Sequence, residues 1–110
     1  MTTSMPRDDD GAPLPVLRLP PGGSHSLAVS ATGTRLGPFP PGTRVIGIYA
    51  DQPMRVRTGD ATVQASAADH FLPDGVYLDL GLGSAKTGYH THLAAVAAAG
   101  AGTLHVSEKE

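Results

Sequence analysis

Apolar and polar residues alternate with a period of two along most of the chain after Ser24, which is the pattern of strands with one face buried and one face wet. In "HSLAVSAT", residues 25–32, Leu27 and Val29 share a face. "TRVIGIYAD", from Thr43 to Asp51, carries apolar residues on both sides and predicts a central strand covered on both faces. "MRVRTGD" sets Met54 and Val56 against Arg55 and Arg57, a strand with one wet face. "GVYLDLGLG" alternates Val76, Leu78, Leu80 and Leu82 with Tyr77, Asp79 and Gly81, and predicts that the first four face the core. Two further strands are predicted over 89–98 and 102–108.

"LAAVAAA", residues 93–99, is the only stretch of high helix propensity, and a turn or two of helix is the alternative there. The run is short and leads through G-A-G-T into "LHV", so two strands joined by a glycine-containing turn are the better reading. Pro73-Asp74-Gly75 is a turn, since proline presets φ and glycine accepts positive φ. Thr58-Gly59-Asp60, between "MRVR" and "TVQAS", has hairpin-turn chemistry. Six to eight short strands with turn signals between them, and no heptad, predict an all-β fold, a β-sandwich or a jelly-roll-like barrel.

Residues 1–24 depart from this pattern. Prolines at 6, 13, 15, 20 and 21 disfavour helix and central strand and favour extended backbone. Leu14, Val16, Leu17 and Leu19 are too apolar for an inert tail and are the candidate partner-binding residues, suited to an extended groove of another chain. The chain therefore divides into an extended N-terminal arm, 1–24, and a β-sandwich domain, 25–110.

Composition narrows the function. The 110 residues hold only three Tyr, two Phe and no Trp, so the core is thin and burial against neighbouring subunits is expected, making a homo-oligomer the predicted state. Eight basic residues against ten acidic ones, scattered along the chain, offer no basic patch for nucleic acid. There is no cysteine for a disulfide or a thiol nucleophile. The polar start "MTTSMPRDDDGAP" lacks a signal-peptide core and no window has the length of a membrane span, so no membrane partner is expected.

The candidate chemistry is sparse. His90 and His92, two apart in a predicted strand, would share a face, and His105 on the following strand could sit across from either. Three imidazoles could ligate a metal, but nothing in the sequence shows that they converge, and polar residues on a solvent- or subunit-facing strand is the plainer reading. Asp69 and His70 are adjacent and on a strand would face opposite ways. "GLGSAK", 81–86, lacks the phosphate-loop spacing and a following helix. With no constellation of nucleophile, base and oxyanion donors, the expectation is a protein without enzymatic activity and without a cofactor.

Three stretches, "RVIGIYADQPMRVRTGDATVQAS", "DHFLPDGVYLDLGLG" and "THLAAVAAAGAGTLHVSEKE", resemble a group of small tailed-phage virion proteins. The shared features are a V-x-I strand, a G-D-x-x-V-x-A hairpin, a D-x-x-L-P-x-G turn and a terminal hairpin, running from Val45 to Glu110. The resemblance implies a β-sandwich subunit of a phage particle, assembled in the host cytoplasm and located in the virion. A compact β domain with an apolar-spotted arm suits a capsid decoration or cement protein that binds the major capsid protein or another virion protein. A neck, head-spike or tail-associated adaptor is the alternative within that class. A small-ligand-binding β module, and a cupin-like metalloenzyme resting on His90, His92 and His105, are the alternatives outside it.

Overall fold

Alternating segments become strands because each can hide one row of side chains only by pairing into a sheet whose inner face is dry. The computed structural model describes residues 19–84 and 86–109. Within them run β1 (Ser24–Val29), β2 (Thr34–Leu36), β3 (Val45–Ala50), β4 (Met54–Gly59), β5 (His70–Leu72), β6 (Tyr77–Gly81), β7 (Gly83–Ser84), β8 (Gly88–Tyr89), β9 (His92–Ala97) and β10 (Gly102–Lys109). The described residues contain no helix. Leu14, Val16 and Leu17 of the arm lie outside them.

Eight strands form two four-stranded antiparallel sheets, ordered β1-β10-β3-β6 and β2-β9-β4-β5, and β7 and β8 form a separate ribbon. Chain neighbours occupy matching places in the two orders: β1 with β2, β10 with β9, β3 with β4, β6 with β5. That is the jelly-roll arrangement, reached by a chain that changes sheets at almost every connection. Ile46, Ile48, Leu104, Val106 and Val29 from the first sheet meet Met54, Val56, Leu72, Leu93 and Ala95 from the second, with Phe39 and Leu82 from connecting segments. Each fully buried Ile or Leu stabilises the fold by about 1.5–3 kcal/mol.

Several sequence expectations are corrected here. Strands over 89–98 and 102–108 do form, as β9 and β10, but they lie in opposite sheets and are not a hairpin. β10 pairs with β1 and β3, whose apolar rows extend its own, while β9 pairs with β2 and β4. "LAAVAAA" is strand because tertiary burial outweighs alanine's helix propensity: Leu93, Ala94 and Ala95 are all buried.

β3 is central within its sheet but has one covered face only, for Tyr49 on the far side is exposed. The Thr58-Gly59-Asp60 turn does not open a tight hairpin. Residues 60–69 instead form a loop, and β4 pairs with β5 beyond it. Val63 is buried, and the Gly59 position can carry no Cβ because Val63 Cγ2 approaches it. Arginines of the wet face hold the loop: Arg35 donates to the Val63 carbonyl at 3.3 Å and Arg55 to the Asp69 carbonyl at 3.4 Å. The Pro73-Asp74-Gly75 turn forms as expected, with Gly75 at φ 76°.

Candidate interaction surface

The histidines come first, because a metal centre would decide the chemistry. His90 precedes β9, and its Nδ1 lies 2.7 Å from Thr58 Oγ1. His92 opens β9, lies opposite Gly59, and its Nδ1 is 2.8 Å from Thr91 Oγ1. The Thr91 N–H donates to the Gly59 carbonyl at 3.0 Å. His90 lies outside any strand, its ring hydrogen-bonded to Thr58, while the His92 ring is hydrogen-bonded to its own neighbour Thr91. The expected strand carrying both histidines does not form, because β9 begins only at His92.

His105 lies on β10 in the other sheet, opposite Tyr49, and its Nδ1 is 3.4 Å from Ser26 Oγ. It does not sit across from His90 or His92. Among the described residues no group of three His, Cys, Asp or Glu side chains is placed to hold a metal. Each imidazole has a hydroxyl neighbour instead. The Thr58–His90 pair borders an open depression with Arg57, Asp60 and Gln64. A hydroxyl activated by His90 would need a third group to orient the ring, and no carboxylate is bonded to it among the described residues.

Asp69 and His70 do not act together either. Asp69 caps its own loop, accepting from the Ser66 N–H at 2.7 Å, and lies 3.9 Å from Arg57. "GLGSAK" contributes to the β7–β8 ribbon.

What the structure does assemble is a surface. On the outer face of the first sheet, Tyr77 lies across Gly47, where a Cβ would collide with its hydroxyl. Lys109 Nζ stands 4.8 Å above the Tyr77 ring and 2.8 Å from Asp79 Oδ1, spanning β3. The hydrogen bond from Lys109 holds the Asp79 carboxyl below the usual aspartate range, and the same bond, with help from Tyr77, raises the Lys109 ammonium above the usual lysine range. Tyr49 and His105 extend this face, with ring centroids 6.2 Å apart.

Among the described residues, the inner face of the first sheet is left open along β6. Antiparallel register sets Leu80 opposite Ile46 and Leu78 opposite Ile48, so the β6 leucines point to the core side. Leu80 packs partly against the core, but Leu78 is 44% and Val76 41% exposed. β5, which holds the matching place in the other sheet, is three residues long, too short to cover them. Phe71, opposite Arg55 on the outer face of the second sheet, is half exposed under the Arg55 guanidinium at 4.9 Å. Leu19, the one arm candidate among the described residues, is exposed as well.

Sequence reasoning passed over a part-buried ionisable pair. Glu108 is 7% exposed on the inner face, and its Oε2 lies 2.5 Å from His25 Nε2. The Glu108 N–H donates to the Gly23 carbonyl at 2.8 Å, and the Gly23 N–H donates to the Pro20 carbonyl at 3.1 Å. The pair therefore fastens the root of the arm to β10. No local signal announces it, since the partners are 83 residues apart.

Compared with protein-family models, with curated proteins and with solved structures, the chain finds no match.

Proposed function

We propose that this chain is a non-enzymatic structural subunit of a tailed-phage particle, a capsid decoration protein that binds the major capsid protein lattice through its β domain and N-terminal arm. The observation that carries the reading is the uncovered apolar pair of Val76, just before β6, and Leu78 on β6. Such a pair at the outermost strand of a sheet is a liability for a monomer and an asset for a subunit that docks. Jelly rolls serve capsids, lectins and cupins alike, so the weight rests on the surface and on the sequence resemblance, with the fold as a compatible frame.

A decoration protein repeats over many equivalent sites, where an arm adds contact without enlarging the core. The test is the copy number of this polypeptide in purified phage particles, measured by quantitative mass spectrometry against the major shell protein. Stoichiometric amounts are expected. A copy number far below the shell's would move the chain to a neck, spike or tail position, and its absence from particles would overturn the reading. Removing residues 1–18 is expected to weaken attachment while leaving the β domain folded, because the Pro20–Gly23 turn that packs on Glu108 is retained.

A further inference from the structure

The open edge of β6 and the spacing of prolines in the arm fit each other. β6 is the last strand of its sheet and pairs with β3 on one side only. The Leu82 N–H donates to the Arg44 carbonyl at 2.9 Å. From that bond, antiparallel alternation turns the backbone groups of Leu80 and Leu78 toward β3 and those of Tyr77 and Asp79 toward the open edge. No lysine or proline guards this strand, and its one charge, Asp79, is engaged by Lys109 on the outer face.

In the arm, Pro13 and Pro15 fall on odd positions. A strand through "PLPVLR" therefore has its missing N–H groups all on one side, and Leu14, Val16 and Arg18 keep theirs on the other. Such a segment can pair along one edge and then closes the sheet against further addition.

We propose that residues 13–18 of a second copy add antiparallel to β6 as a fifth strand of the first sheet. Directly bonded antiparallel partners share a face, so Val16 and Arg18 join Tyr77 and Asp79 on the outer side. Pro13, Pro15 and Leu17 then extend the inner row of β6 sideways, packing against the open flank of Leu78. Arg18 brings a positive charge to the face that carries Asp79.

The chain's own arm does not satisfy this register. Pro20 packs beside Gly23 and Glu108 at β10, and a strand beyond β6 lies three spacings from β10, about 14 Å. Arg18 is two residues from Pro20 and reaches at most about 7.6 Å from it. The arm of a neighbour has no such tether. This inference deepens the assembly reading but stands on the isolated chain, so it can fail while the copy-number test succeeds.

Sedimentation velocity on the full chain, with amide exchange by NMR, tests it. Association with concentration-dependent protection of the Tyr77 and Asp79 amides is expected. Val16→Pro removes a donor from the pairing side and is expected to weaken association about tenfold or more. Leu17→Pro puts its missing N–H on the solvent side and is expected to change association by less than about threefold. Neither variant touches the β domain. A chain that stays monomeric with fast-exchanging Tyr77 and Asp79 amides, protection without association, or equal effects of the two prolines would each overturn the proposal.

Discussion

Ile48 and Leu78 face each other directly across β3 and β6 on the same side of one sheet, yet Ile48 is fully buried and Leu78 is 44% exposed. The difference comes from what lies above each residue. β4 of the second sheet covers β3, while the short β5 leaves β6 bare. Ile48→Ala is expected to destabilise the fold by about 2–5 kcal/mol in urea unfolding, through lost burial and a residual cavity. Leu78→Ala in the same assay is expected to cost less than half as much, since a large part of its surface stays in water and no closed cavity is left.

Gly47 and Tyr77 form the second close relationship. The tyrosine crosses the strand only because Gly47 has no Cβ. Gly47→Ala is expected to displace the ring and lower stability by about 1–3 kcal/mol. In the double variant with Tyr77→Ala most of that loss is expected to disappear, because the collision is with the Tyr77 ring and hydroxyl. A cycle of urea midpoints measures the coupling.

The His25–Glu108 contact gives a third test. His25→Ala leaves the Glu108 carboxyl buried without its partner and is expected to lower stability by about 1–3 kcal/mol. Replacing both residues by alanine is expected to cost less than the sum of the single changes, as thermal unfolding of the four proteins would show. Proteolysis near Gly23 is expected to quicken in either single variant, since the pair sits at the root of the arm.

Asp79 and Lys109 set a pH window. Asp79 is held below its ordinary value by the Lys109 hydrogen bond, so its stabilising effect is present above the unfolded value of 3.8 and is lost as pH falls through the depressed value. Lys109 is raised by the same bond, so its share is present below 10.5 and is lost as pH rises through the raised value. The contact is therefore intact across the neutral range. An NMR titration of the Asp79 carboxyl is expected to return toward the ordinary aspartate range in Lys109→Met.

Chelation is a simple control on the histidines. His90, His92 and His105 have separate hydroxyl neighbours and two different sheets behind them. Dialysis against a chelator is expected to leave the melting temperature unchanged, and added zinc is expected not to raise it. A stoichiometric rise in melting temperature with zinc would show a site that the hydrogen-bond pattern does not anticipate.

Much of the local structure was legible in the sequence. Period-two alternation marked β1, β4 and β6, an apolar run marked β3, and a short run before a glycine-containing turn marked β9 and β10; alternation also told the dry side of β4, Met54 and Val56, from the side of Arg55 and Arg57. Proline before Asp74-Gly75 marked a turn that forms. These features are legible because strand pleat and turn dihedrals are properties of a few consecutive residues.

Only the tertiary structure decided which sheet each strand joins, and the functional surface follows from that choice. β9 and β10 read as a hairpin by sequence and lie in opposite layers, which parts His105 from His90 and His92. Leu78 and Ile48 read as equals, and the reach of β5 made one surface and the other core. Pairing with β1 buried Glu108 against His25, a partner that no local pattern names. The alternation of a strand says which residues share a face, but whether another layer covers that face depends on contacts between segments far apart in the chain.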